Sequence, residues 1–172
     1  QPETLPVIHL LLVVASGRLN LLDSTIDDLM VQALANWQLT VVSEHACPDP
    51  RFESSPVLEW IQTSLHQIDA IATVVKASSA EWFFCAQTGL RLSPAFTLLS
   101  GLYLQARPES LLLYTDEDVI NGKGEHSQPK LKPDINSEFL RSSPYVGAAT
   151  LIRKSLMLDP RVAILPLDLA RN

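Results

Sequence analysis

The stretch Val7-Ile8-His9-Leu10-Leu11-Leu12-Val13-Val14, bounded by Pro6 and by Ala15-Ser16-Gly17, is apolar at nearly every position. A strand with one wet face alternates polar and apolar side chains. A near-continuous apolar run fits a strand buried on both faces, as in a parallel sheet covered by helices. Downstream, Leu22, Ile26, Leu29, Met30, Ala33 and Leu34 recur at helical spacing, which predicts a helix over residues 21–36. Asp23 or Ser24 is its expected cap, and Asp27 and Asp28 fall in its first turns, where the helix dipole favours acids. Trp37 to Val42 then reads as a second strand ending in Ser43-Glu44-His45, with Pro48 and Pro50 marking the loop beyond.

The alternation continues. Residues 55–66 are predicted helical, with Pro56 early in the segment. Ile68 to Val75 reads either as a short strand or as part of a helix running to Ser78. Glu81 to Ala86 is a strand, followed by the turn Gln87-Thr88-Gly89. Ser93 as cap and Pro94 at the first position open a helix through Ala106. Leu111 to Thr115 is a strand running into Asp116-Glu117-Asp118, residues 121–133 read as a long polar loop, residues 137–142 as a short helix, and residues 146–152 as a last strand. Alternating strands and helices predict an α/β fold with a mostly parallel sheet and helices on both faces. Ligands of such sheets bind at the carboxyl ends of the strands. That rule selects three places: residues 15–17, residues 43–45 and residues 86–89. No linker divides the chain, so residues 1–172 are expected to form one domain, a piece of a longer protein.

Hydrophobic residues make up 47% of the chain and charged residues 19%, which suits a packed domain with a sizeable core. The net charge of -6 argues against nucleic acid as a partner, because an acidic domain is repelled by phosphate backbones. Cys47 and Cys85 lie far apart and outside any zinc-ligand spacing, and read as thiols in a reducing compartment. The longest apolar run, residues 7–15, is well short of the roughly 20 residues of a membrane helix. The sequence holds neither a phosphate-binding Gly-x-x-x-x-Gly-Lys loop nor a Gly-x-Gly-x-x-Gly turn, and no Gly-x-Ser-x-Gly surrounds Ser16. His9 sits inside the first strand and reads as a satisfied core residue, His45 as a loop residue, and Lys130 and Lys132 as solvated loop cations rather than diphosphate ligands.

Four short segments in order carry a resemblance. They are Tyr114-Thr115-Asp116-Glu117-Asp118, then Leu131-Lys132-Pro133-Asp134, then Tyr145-Val146-Gly147, then Arg153-Lys154-Ser155-Leu156. In kind and order they resemble segments of the family 2 glycosyltransferases that build bacterial surface polysaccharides. The stretch from Trp82 through Gly89-Leu90-Arg91-Leu92-Ser93-Pro94 is similar to the surroundings of that family's Asp-x-Asp motif. The resemblance implies a GT-A fold, a nucleoside-diphosphate sugar as donor, a glycan or glycolipid as acceptor, and transfer with inversion. It also implies a place in the cytoplasm or at the inner face of the membrane, and neighbouring domains in a longer chain.

Such chemistry moves a sugar off a diphosphate that leaves with concentrated negative charge. Mg²⁺ or Mn²⁺ held by hard carboxylate oxygens spreads that charge, and a carboxylate near the acceptor takes its proton. By the resemblance, Ser16, Glu44 and Gln87 fall at the nucleotide-sugar site, and Asp116, Glu117 and Asp118 near the metal or the acceptor. The departures are chemical. Glu44 stands near the place of an Asp that holds the base, and Ala86-Gln87-Thr88-Gly89 occupies the Asp-x-Asp position with no carboxylate. Neutral Gln and Thr ligands bind a divalent cation weakly. A second expectation is therefore a GT-A module retained for binding or assembly.

Overall fold

The structure is a computed structural model; it describes residues 4–14, 17–53, 55–63, 68–143, 145–147 and 149–161. The long apolar run is β1 (Ile8–Val13), with every residue buried. It lies at the centre of a parallel set, pairing with β2 (Trp37–Ser43) on one side and β4 (Trp82–Gln87) on the other. β2 pairs in parallel with β3 (Leu58–Gln62) at the sheet edge. β5 (Leu112–Tyr114) forms the opposite edge, and β8 (Thr150–Arg153) lies between β4 and β5, antiparallel to both. The order is β3-β2-β1-β4-β8-β5. Because β8 reverses direction twice over, β5 points the same way as β4. The carboxyl ends of β1, β2, β3, β4 and β5 therefore share one edge of the sheet.

The period-2 geometry of β1 sorts its side chains between two cores. Ile8, Leu10 and Leu12 face the layer made by α1 (Leu22–Met30) and α4 (Phe96–Ala106), meeting Leu22, Leu29 and Leu104. Leu11 faces the other side, where Ile71, Val74 and Val75 of α3 (Ile68–Ala77) cover Phe83 and Cys85. His9 is on this second face, 6% exposed, with Nδ1 2.8 Å from Ser78 Oγ, Nε2 2.8 Å from Thr40 Oγ1, and its ring stacked on Phe83. It is a satisfied core histidine, and burial pushes its imidazole down to about 4.

Several local expectations are corrected. Of residues 55–66, Leu58–Gln62 form β3, not a helix, and residues 64–66 lie outside the described residues. Leu58 and Trp60 pack toward the α1 side and Ile61 toward α3, an alternation that Val57-Leu58-Glu59-Trp60-Ile61 shares with a helical pattern until β2 offers its edge. Residues 68–77 resolve as helix. The first helix stops at Met30, after a short 3-10 turn over Leu19–Leu21. Neither Asp23 nor Ser24 caps it: the Ser24 hydroxyl donates back to Leu21 O, and Leu21 is the N-cap. In α4 the N-cap is Ala95, two residues later than Ser93. The supposed loop 121–133 holds the turn and second strand of a hairpin, β6 (Glu117–Ile120) with β7 (His126–Lys130). Its turn is made by Asn121, whose Oδ1 accepts from Lys123 N and Glu125 N, and by Gly124 at φ +81°. The remaining helices are α2 (Pro50–Glu53), α5 (Ser137–Ser142), as expected from sequence, and α6 (Lys154–Met157). Both cysteines are free; Cys85 is buried, which pushes its thiol up to about 12. Among the described residues no helix is long and apolar enough to cross a membrane.

Candidate functional site

The chain runs from β1 to β2 to β3 on one side, then returns to place β4 on the other side of β1. The switch point therefore lies between the tips of β1 and β4, where a sheet of this kind opens a crevice. The two tips are stitched by the Thr88 N–H donating to Val13 O at 3.1 Å. Ser16 lies outside the described residues. Beyond it, Gly17 takes φ +74°, and Arg18 is exposed at the start of the 3-10 turn.

At the tip of β2 the backbone is held and the side chains are left open. Ser43 Oγ accepts from His45 N, Trp60 Nε1 donates to His45 O at 3.1 Å, and Gln62 Nε2 donates to Glu44 O at 3.2 Å. Glu44 and His45 are exposed. A clamped main chain carrying a solvent-facing carboxylate suits recognition of a ligand's hydroxyl or amide groups. Gln87, half-buried, ends β4. The next residue, Thr88, is 2% exposed, and its Oγ1 is buried without a hydrogen-bond partner among the described residues. Gly89 follows at φ +93°, a conformation L side chains rarely adopt; a Cβ there would stand 3.0 Å from Leu21 Cδ1.

Asp27 and Asp28, expected in the first turns of the first helix, fall in the last turn of α1, and Asp28 there holds this turn in place. Asp28 on α1 is 8% exposed, receives Arg91 Nε at 2.7 Å and Nη2 at 2.8 Å, and accepts the Leu92 N–H at 2.8 Å. Burial alone raises the Asp28 carboxyl, but the hydrogen bonds from Arg91 and Leu92 outweigh it and hold the group below the ordinary carboxylate value. Thr25 Oγ1 donates to Leu90 O, and Gln32 Nε2 donates to Ser93 O. One face of α1, with Gln32 just beyond its end, thus grips residues 90–93. The signal available in the sequence was an acid on the inward side of an amphipathic helix, which a buried partner must satisfy.

The acidic triplet lies across the same edge, after β5. β5 is two strand spacings from β4, roughly 10 Å. Asp116 Oδ1 accepts the Lys132 N–H at 2.8 Å. Glu117 sits between Lys130 and Lys132, 3.4 Å from each ammonium. Asp118 Oδ2 is 2.8 Å from His126 Nδ1. The Lys132 side chain is 3% exposed and also donates to Val146 O at 2.8 Å, so it is a buried tie rather than a solvated loop cation. Tyr114 Oη donates to Pro133 O, Asn136 N donates to Tyr145 Oη, and Tyr145 stacks on Phe139. Three of the four ordered sequence segments therefore meet in one knot beside the sheet edge.

No protein-family profile matches the chain. Over 66 residues it is 39% identical to the O-antigen biosynthesis protein RfbC of Myxococcus xanthus, a match covering 38% of this chain and 5% of that protein. An uncharacterised protein, y4gI, of Sinorhizobium fredii is 23% identical over 155 residues, which is 83% of this chain and 17% of that protein. Among solved structures, S. aureus TarS 1-349 superposes with a TM-score of 0.66 at 13% identity, over 91% of this chain and 50% of that one. The fold is of the GT-A glycosyltransferase type. The same TarS fragment in complex with UDP-GlcNAc superposes with a TM-score of 0.65, also at 13% identity, over 91% of this chain and 48% of that one. The chain thus spans about half of the TarS fragment and a much smaller share of the curated relatives.

A divalent cation at this edge needs several hard oxygens, carboxylates above all. The Ala86 to Gly89 turn offers none. Asp116 and Glu117 are engaged by Lys132 and Lys130, and among the described residues no three His, Cys, Asp or Glu side chains converge to hold a metal. The described residues do not fit a Mg²⁺ or Mn²⁺ site. A groove of about 600 Å³ lies elsewhere, beside α3 and the amino-terminal halves of β1 and β2, lined by His9, Gln38, Glu59 and Ser78 among others.

Proposed function

We propose that this chain is the donor-binding domain of a glycosyltransferase that transfers a sugar from a nucleoside diphosphate to a polysaccharide or glycolipid acceptor. The observation that carries the reading is the strand order, which puts a switch point between β1 and β4 beside the open Glu44 carboxylate, in a sheet of GT-A order. Glu44 accepts hydrogen bonds from the nucleoside, and Gln87 faces the diphosphate or the sugar. Asp116, Glu117 and Asp118 border the acceptor side, where their bonds to Lys132, Lys130 and His126 keep the hairpin in place. The match to RfbC supports surface polysaccharide as the product class, and the length of the relatives supports neighbouring domains. Inversion at the sugar carbon follows from the family resemblance and belongs to the same proposal.

Titration with UDP, GDP and dTDP sugars tests the donor site. One donor is expected to bind, and Glu44→Ala is expected to weaken it roughly tenfold without moving the melting temperature, since an exposed side chain holds little of the fold. No binding by any donor overturns the reading. A second reading, a GT-A module kept for binding or assembly, is favoured by the carboxylate-free turn after β4. Sugar transfer by this chain, lost on Asp116→Ala, disposes of it.

A further inference from the structure

A diphosphate bound in the crevice brings concentrated negative charge to a place without metal-holding carboxylates, so some other cation must meet it. Most of the described cations are engaged elsewhere. Arg91 is nearest the β4 turn in sequence, but Asp28 takes both its Nε and its Nη2. Lys132 is buried against Glu117 and Val146 O, and Lys130 pairs with Glu117. Arg153 and Lys154 lie at the far end of β8, bonded to Pro108 O and Glu81 and to Lys76 O and Ser78 O. Lys76 ends α3, Lys123 is in the hairpin turn, Arg51, Arg141 and Arg161 pair with Asp49, Glu138 and Asp159, and Arg107 lies over the Tyr103 ring.

Arg18 remains. It is exposed and forms no ion pair or hydrogen bond from its side chain among the described residues. It follows Gly17 in the connection from β1, and its carbonyl accepts the Leu21 N–H. Leu21 in turn packs against the β4 turn, its Cδ1 3.0 Å from where a Gly89 Cβ would stand. The segment bearing Arg18 is thus set against the turn that ends in Gly89, and the two follow β1 and β4, the strands on either side of the switch point.

We infer that Arg18 supplies the positive charge for the diphosphate, and that nucleotide binding at this edge does not require a divalent cation. The inference rests on the nucleotide-site reading above. A planar guanidinium can bond two phosphate oxygens at once, which a neutral Gln87 or Thr88 cannot match in charge. Its backbone lies on a connection packed against the β4 turn through Leu21, so the ordering left for the ligand to impose is that of the side chain.

The test is a titration of the chain with UDP, GDP and dTDP, in EDTA and again with saturating Mn²⁺. For the nucleotide that binds, the affinities in the two conditions are expected to agree within about threefold. Arg18→Ala is expected to weaken binding roughly tenfold or more, with unchanged melting. Arg18→Lys should fall between, because the charge stays while the two-pronged geometry is lost. Binding seen only with Mn²⁺, or an Arg18→Ala chain that binds like the parent, overturns the role of Arg18 and leaves the nucleotide site standing. Failure of all three nucleotides in both conditions overturns the site itself and this inference with it.

Discussion

Replacing Asp28 by Ala removes the anchor of the β4–α4 connection, and its cost can be worked from the contacts. The Asp28 side chain is 11% exposed and that of Arg91 46%, so the ion pair itself is half-solvated and contributes about 1 kcal/mol. The Leu92 N–H, donated to Asp28 at 2.8 Å in the interior, is left without an acceptor, at about 1–3 kcal/mol. The sum is about 3 kcal/mol, a fall of about 6–12 °C in the melting temperature for a domain of this size. Asp28→Asn keeps an oxygen for Leu92 and loses only the charge, so about 1 kcal/mol is expected. Urea unfolding of both variants, with a double-mutant cycle through Arg91→Ala, measures the two parts separately. The pH dependence has a definite sign. A carboxyl held below its ordinary value stabilises the fold above that ordinary value, and the contribution disappears as pH falls through the folded-state value. Asp28→Ala within about 0.5 kcal/mol of the parent, or Asn as damaging as Ala, would refute the anchoring argument.

His9 predicts a second acid response. Its imidazole is about 4 in the fold against 6.5 in the open chain, so stability is complete above 6.5 and is lost as pH falls from there toward 4. The whole shift amounts to about 3 kcal/mol, and unfolding at pH 7.5 and 4.5 is expected to show a correspondingly smaller difference in His9→Gln than in the parent. Equal differences in the two proteins would show that His9 is not the group responsible. At Gly147, φ is +67° and a Cβ would meet Lys132 Nζ at 3.3 Å and Glu117 Oε1 at 3.4 Å. Gly147→Ala is expected to cost about 1–2 kcal/mol by thermal unfolding, and an unchanged melting curve would remove the strained tie between residue 147 and the Glu117–Lys132 pair.

Much of the architecture was legible along the chain, because burial on two faces leaves an uninterrupted apolar run and burial on one helical face leaves a 3.6-residue period. That is why β1, β2, β4 and α5 stand where expected, and why residues 43–45 and 86–89 could be placed at strand ends before any coordinates. Val57 to Gln62 was not legible as a strand. Its apolar positions satisfy both periods, and only hydrogen bonds from the neighbouring β2 decide between them. The hairpin of β6 and β7 was hidden for a related reason: its β7 strand is exposed throughout, so no burial pattern marks it. The sequence by itself determined which residue types stand at the carboxyl ends of the strands, including the lack of carboxylate at Gln87 and Thr88, since strand ends follow from local patterning. Only the tertiary structure decided which charges are spent internally. The partners of Asp28, Glu117 and Lys132 are 63, 13 or 15, and 14 or 15 positions away, and nothing local in the chain distinguishes a buried ion pair from a free one.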